Sequence, residues 1–226
     1  MTVVALIPAA GFGARFHDAG PKALVRLAGK PFLIHALERL AASGRVDRAV
    51  VAVSPGSEGA FAEALAGFGA MPVVTTPGGE TRRDSVVAAW HASATADEDL
   101  LCIHDAARPL VDPADVAAVV SAAAEYGAAL AGSPVTDTIK RVRGGVVVET
   151  VPRLDLFAAA TPQVMRAGLL RTAVEAGLFE ATDDVELLER RGVVVRTVVT
   201  SRWNLKITYP EDLARAEAWL AAAARS

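Results

Sequence analysis

Short runs of Val, Ile, Leu and Ala without in/out alternation recur at Val3–Pro8, Ala49–Ser54, Met71–Thr75, Leu100–His104 and Ala128–Pro134. Strands covered on both faces carry such runs, because neither set of side chains meets water. Between them lie amphipathic stretches at Pro31–Ala42, Glu58–Phe68, Thr81–Ala94 and Pro113–Tyr126. Pro31 and Pro113 suit a first helical turn, where a missing N–H costs nothing, and Asp112 is a good N-cap. The β-α-β-α order predicts an α/β fold: a Rossmann-like, mostly parallel sheet flanked by helices.

The rhythm changes at Pro134. Asp137–Val142, a turn at Arg143-Gly144-Gly145 and Val146–Val151 read as a β-hairpin. It interrupts the α/β pattern, so it is expected to project as an arm. Helices are expected at Arg166–Ala176 and Asp184–Arg191, then a late strand at Val193–Val199 and a closing helix at Pro210–Ala224. The expectation is one domain over 1–226 with an arm inserted at about 135–160.

Composition narrows the class. The chain has 226 residues, 52% apolar and 22% charged, with a net charge of -3. Such a chain buries a core and is neither disordered nor collagen-like. Its apolar runs are strand-length, so no membrane span is expected, and no signal-peptide pattern opens it. A cytoplasmic setting is expected. Weak acidity argues against a nucleic acid as partner. The single cysteine, Cys102, excludes an intramolecular disulfide and a cysteine-cluster metal site, and reads as a small core residue. Of 23 basic residues only Lys22, Lys30, Lys140 and Lys206 are lysine. Against that arginine bias, a lysine points mildly to a site needing a compact ammonium.

Three loops carry candidate chemistry. Pro8-Ala9-Ala10-Gly11-Phe12-Gly13-Ala14-Arg15, followed by Gly20-Pro21-Lys22, leaves the first strand at its carboxyl end, where open α/β sheets bind ligands. Glycines let backbone N–H groups approach a ligand, and Arg15 and Lys22 add the cations a triphosphate requires. No Walker A ending is present, and Phe16 stands where a dinucleotide loop needs its third glycine. Gly78-Gly79-Glu80-Thr81-Arg82-Arg83-Asp84-Ser85 opens a helix; it suits an anion or a base edge, or is simply a capped, charged first turn. His104-Asp105-Ala106-Ala107-Arg108-Pro109 ends another strand. There Asp105 suits a sugar hydroxyl or a metal, or pairs with Arg108, while His104 reads as a packed strand-end residue. Thr161 and Thr182 read equally well as helix caps, and Arg153 and Lys206 as surface cations.

In this order, with Asp137-Thr138-Ile139-Lys140, Thr161-Pro162-Gln163, Thr182-Asp183 and Lys206-Ile207-Thr208, these segments resemble the 2-C-methyl-D-erythritol 4-phosphate cytidylyltransferases of the non-mevalonate isoprenoid pathway. The resemblance implies transfer of CMP from CTP to the polyol phosphate with release of pyrophosphate. It implies that Pro8, Ala9, Ala10, Gly11, Gly13, Gly79, Glu80 and Ser85 hold CTP. Arg15 and Lys22 would bind the triphosphate and act catalytically, Asp105 and Ala106 would lie near the ribose, and Lys206 would sit between the two substrates. Arg108, Thr138, Arg153 and Thr161 would hold the polyol phosphate, the arm coming from the other subunit of a homodimer. Mg²⁺ or another divalent cation is expected mainly on the CTP phosphates, with Asp105 its nearest candidate neighbour. Ala23, Pro152, Phe157 and Ala160 depart from the family pattern, three of them around Arg153. Two alternatives stay open: a cytidylyltransferase for another polyol phosphate such as ribitol 5-phosphate, and a non-catalytic nucleotide-binding regulator.

Overall fold

A computed structural model describes residues 1–11, 20–176 and 183–223. In chain order the first half comprises β1 (Val3–Ala9), β2 (Arg26–Leu27), β3 (Lys30–Pro31), α1 (Phe32–Ala42), β4 (Arg48–Val53), α2 (Glu58–Leu65), β5 (Val73–Pro77), α3 (Arg82–Ser93) and β6 (Leu100–Ile103). The second half comprises α4 (Pro113–Tyr126), β7 (Ala128–Pro134), β8 (Ile139–Arg143), β9 (Val146–Val151), β10 (Phe157–Arg166), α5 (Ala167–Glu175), α6 (Glu186–Glu189), β11 (Arg196–Val199) and α7 (Pro210–Ala223). A seven-stranded sheet runs in the order β11-β7-β10-β6-β1-β4-β5. Within it β6, β1, β4 and β5 are mutually parallel, as are β11 and β7.

Period-2 geometry explains the absence of polar alternation. Val3, Ala5 and Ile7 of β1 point to one face and pack with α1 and α4 residues such as Leu37 and Val119. Val4 and Leu6 point to the other, packing with Val86 of α3 and Leu170 of α5. Both faces are dry, so both sets must be apolar. A smaller cluster of Leu27, Phe32, Leu110, Ile207 and Ala216 packs α7 against β2, the start of α1 and the segment after β6. Cys102 lies in the core on β6, and burial pushes its thiol pKa up to about 12. Among the described residues no helix is long and apolar enough to cross a membrane.

The structure corrects several expectations. β10 is a central strand, antiparallel to both β6 and β7, where the sequence suggests only a lead-in to a helix at Ala160–Gln163. Thr161 is therefore a strand residue, not a cap. Ala158, Ala159 and Ala160 carry little strand preference, and Pro162 argues against a central strand. The sheet accommodates Pro162 at an irregularity between Ala159 and Gln163, where the pairing with β7 shifts register. Boundaries move as well: β5 starts at Val73, α2 stops at Leu65, α6 is a single turn and β11 starts at Arg196.

The hairpin forms as expected. β8 and β9 pair antiparallel, and Gly144 and Gly145 take positive φ of 54° and 80°, the conformation a tight hairpin turn requires. The pair makes a separate two-stranded sheet. Val142, Val146, Val147 and Val148 are all more than half exposed on it.

Candidate active site

The carboxyl ends of β1, β5 and β6 open onto a cleft of about 210 Å³. Among the residues singled out from sequence, Pro8, Ala9, Ala10, Gly11, Lys22, Gly79, Glu80, Ser85, Asp105, Ala106 and Lys206 line it. Parallel strands end on the same rim, so loops distant in sequence meet there.

Backbone bonds and buried hydroxyls fix the loops. The Lys22 N–H donates to the Gly11 carbonyl at 3.1 Å, which brings the lysine back beside the first loop at the start of a single 3-10 turn, Lys22–Leu24. The buried Ser54 hydroxyl donates to the Ala10 carbonyl at 3.0 Å. The Ser85 hydroxyl accepts from Gly79 N–H at 3.2 Å and donates to the Thr81 carbonyl at 3.1 Å. Gly78 is needed because the first loop lies so close: a Cβ there would stand 2.6 Å from the Ala10 Cβ. Thr81 caps α3 in a reciprocal box with Asp84. The segment from Gly79 to Ser85 is thus both a capped helix start and a cleft wall.

At the base of the cleft lies an ion network. Asp105 Oδ1 accepts from Arg82 Nε and Asp105 Oδ2 pairs with Lys206 Nζ, each at 2.8 Å. The Arg82 fork then meets Asp184, with NH1 at 3.0 Å and NH2 at 2.8 Å from its two oxygens. Burial pushes the Asp105 pKa up, but Arg82 and Lys206 outweigh it and hold the carboxyl well below the usual range. Burial pulls the Arg82 pKa down, and the carboxylates of Asp184 and Asp105 more than reverse this.

Behind Asp105 the strands lock together. The Thr161 hydroxyl accepts from the Asp105 N–H at 3.0 Å and lies 3.1 Å from His104 Nδ1. His104 Nε2 meets the Arg108 carbonyl at 3.1 Å, so Nε2 carries the proton and Nδ1 accepts from Thr161. Burial pushes the His104 pKa down to about 4, and the ring is neutral near pH 7. Asn204 Nδ2 donates to the Thr161 carbonyl at 2.8 Å, and Arg108 NH1 donates to the Asn204 carbonyl at 2.7 Å. The Ile207 N–H bonds to the Ala107 carbonyl at 2.8 Å, which carries Lys206 to the cleft.

The residues expected on the polyol-phosphate side are dispersed. Thr161 is buried behind Asp105, and Arg108 is half-buried with its Nε lacking a hydrogen-bond partner. Thr138 and Arg153 are exposed at the base of the arm, where Arg153 bonds to the Thr136 carbonyl. Of this group only Lys206 lines the cleft. Gly13, Arg15 and Thr182 lie outside the described residues. Sequence reasoning missed the roles of Arg82 and Asp184. The signal for Arg82 was a cation in the first turn of a helix that starts at the rim of the cleft; Asp184 gave no local sign.

A sequence family described as 2-C-methyl-D-erythritol 4-phosphate cytidylyltransferase matches residues 3–222. A protein of that name from Rhodopirellula baltica is 41% identical over 232 residues, covering 97% of this chain and 95% of its own. A crystal structure of the enzyme of that name from Thermus thermophilus superposes with a TM-score of 0.79 at 36% identity, covering 97% of this chain and 98% of its own. A structure described as 4-diphosphocytidyl-2C-methyl-D-erythritol synthase gives 0.83 at 32% identity, with the same coverage.

Proposed function

The chain belongs to the 2-C-methyl-D-erythritol 4-phosphate cytidylyltransferase family and transfers CMP from CTP to that polyol phosphate; from this premise we propose how its residues divide the work. The observation that carries the assignment is the convergence of Lys22 and Lys206 on one cleft above a charge-balanced Asp105.

The attacking group needs no activation by the protein. A phosphate monoester has a second pKa near ~6, so it is largely a dianion at pH 7 and already nucleophilic. One of its oxygens attacks the α-phosphorus of CTP in line. A new P–O bond forms as the bond to the β-phosphate oxygen breaks, and pyrophosphate leaves without a proton transfer. The site's chemistry agrees: no histidine or cysteine is among the described residues lining the cleft, and His104 and Cys102 are sealed in the core.

The difficulty is holding two polyanions together while charge builds on the α-phosphate oxygens and the leaving group. Arg15 and Lys22 neutralise the triphosphate and stabilise the transition state. Pro8, Ala9, Ala10, Gly11, Gly13 and Gly79 cradle the nucleotide with backbone groups, and Ser85 keeps that wall in place. Backbone carbonyls at the base accept from the cytosine amino group, which uracil lacks. Asp105 and Ala106 face the ribose, with Glu80 at the mouth. Lys206 lies where the two phosphates meet. Arg108, Thr138 and Arg153 hold the polyol phosphate, while Thr161, whose hydroxyl is engaged by the Asp105 N–H and His104 Nδ1, supports the site from behind. A divalent cation such as Mg²⁺ suits this donor set as a passenger on the CTP phosphates, with Asp105 and Glu80 the cleft carboxylates nearest to hand; it would screen the triphosphate charge.

The chain is read as one nucleotidyltransferase unit whose arm, at about 135–160, serves dimerisation. An isolated two-stranded ribbon is marginally stable, and this one exposes four valines to solvent. A two-fold homodimer in which each arm covers its partner meets both needs and carries Arg153 to the other subunit's site. A reaction fed by CTP fits a cytoplasmic setting, with no nucleic acid or membrane as partner.

Pyrophosphate release tests the reading. Turnover is expected with CTP and methylerythritol phosphate, with kcat/KM lower by ~10²-fold or more for UTP, ATP and GTP, whose bases leave pocket groups unpaired or do not fit. Equal turnover with ribitol 5-phosphate would move the assignment to the other polyol phosphate; equal turnover with ATP or GTP would remove it.

A further inference from the structure

We propose that Asp184 is a positioning residue for the nucleotide: it fixes Arg82, and Arg82 fixes Asp105 so that one carboxylate oxygen stays turned towards the ribose. This rests on the reading that Asp105 receives the sugar.

The geometry is a relay of three side chains from three separate elements. Arg82 opens α3, Asp105 follows β6 and Asp184 precedes α6. Arg82 presents Nε to Asp105 Oδ1 at 2.8 Å and turns its two terminal nitrogens on Asp184, 3.0 and 2.8 Å away. A guanidinium hydrogen-bonded through NH1 to Asp184 Oδ1 and through Nε to Asp105 Oδ1, with its second terminal nitrogen paired by charge to Asp184 Oδ2, is held at two ends, so its Nε–H keeps one direction. That direction sets the Asp105 carboxylate and leaves Oδ2, now on Lys206 at 2.8 Å, facing the cleft. Arg82 and Asp105 line the cleft; Asp184 does not, and acts only through Arg82.

Asp184 is itself anchored to the sheet. Its N–H donates to Gln163 Oε1 at 2.9 Å, and the Val185 N–H shares that oxygen at 3.2 Å. Gln163 Nε2 donates to Asp183 Oδ2 at 3.0 Å, and Gln163 lies on β10 opposite Ile103, the residue before His104. Asp105 and Asp184 are thus hung from the same pair of central strands, one on each side of Arg82. Two buried carboxylates around one guanidinium are costly to desolvate, and an apolar cluster would stabilise this position at least as well. What the ion relay supplies is orientation.

The test separates orientation from stability by asking which substrate group each residue acts on. Steady-state kcat/KM is measured with methylerythritol phosphate and either CTP, 2′-deoxy-CTP or 3′-deoxy-CTP, for wild type, Asp105→Asn, Asp184→Asn and Arg82→Gln. Wild type is expected to lose about tenfold or more on the analogue lacking the hydroxyl that Asp105 holds. Asp184→Asn is expected to lower kcat/KM for CTP by about tenfold while barely changing the value for that analogue, so the preference collapses towards that of Asp105→Asn. Arg82→Gln, a change at a side chain 35% exposed, reads the same ratio should Asp184→Asn fail to fold. If both relay variants lower CTP and the deoxy analogue alike, keeping the wild-type ratio while Asp105→Asn loses it, the relay is only structural and the inference is overturned. If Asp105→Asn itself keeps the ratio, the ribose reading falls and the inference falls with it.

Discussion

The nucleotide cleft and the arm beside it follow opposite plans. In the cleft, charged side chains converge: Asp105 meets both Arg82 and Lys206, and Arg82 meets Asp184, all from one chain. On the arm, polar and apolar side chains alike face outward, and Thr138 and Arg153 stand exposed away from the cleft lining. The contrast teaches that the cleft's ionic partners are all supplied within the chain, whereas the arm's residues find few partners within it; in the proposed division of work, the arm's grip on the second substrate awaits another surface. In this reading, specificity for the polyol lies at a joint between subunits, and specificity for the nucleotide lies within a subunit.

The largest expected effect falls on the cleft. Lys22→Ala and Arg15→Ala should each lower kcat by ~10²–10³, with circular dichroism unchanged, because their work is on the transition state. A raised KM with near-normal kcat would instead make them ground-state ligands of CTP.

Next comes the acid sensitivity of the cleft's foundation. The folded His104 pKa of about 4 lies below its ordinary value of 6.5, so between these pH values the unfolded chain takes up a proton that the folded chain refuses. Stability should therefore fall as pH drops from 6.5 to 4, by about 3 kcal/mol from this group, with none of that loss above 6.5. Urea titrations of wild type and His104→Gln across this range check it. The glutamine variant should start less stable at pH 7 and lack this part of the acid dependence; an equal dependence in both would assign it elsewhere.

The arm gives a smaller signal with a sharper meaning. Lys22→Ala and Arg153→Ala are each expected to be inactive alone. Mixed under conditions that exchange subunits, they form hybrids in about half of the dimers, each hybrid holding one intact site and one doubly defective site. Activity should then recover to about a quarter of wild type. No recovery despite demonstrated exchange would mean that Arg153 serves its own chain, and the division between the two regions would be gone.

Sequence was most informative where chemistry is local. The glycine loop before Lys22, the Gly79–Ser85 helix start and the Asp105 turn each combine residues within a few positions, at strand ends that hydrophobicity marks clearly. The hairpin was legible for the same reason, since two glycines between valine-rich runs specify a turn without outside help. What stayed hidden depends on distance. Arg82 and Asp184 are 102 positions apart and nothing near either announces the other. β10 was concealed by its small residues and Pro162, since its strand character comes from pairing with β6 and β7 on both sides rather than from its own preference. Thr161 looked like a cap because hydroxyls usually serve that purpose; with the strand in place, its hydroxyl instead holds the Asp105 backbone.

The reversed direction of β10 has a consequence for how such a protein can change over time. β7 runs up to the rim where the cleft opens and ends at Pro134; β10 begins opposite it, with Phe157 paired to Pro134. The whole arm is therefore the loop of one oversized antiparallel hairpin, opening on the same rim as the nucleotide loops. A parallel strand at this place would have required a crossover and delivered its incoming segment to the far edge of the sheet. With the reversal, residues can be gained, lost or exchanged between 135 and 156 as in any surface loop, yet every such edit leaves from the same rim of the sheet as the loops of the cleft. The fold confines such change to one rim of the sheet and leaves the seven strands and the cleft lining untouched.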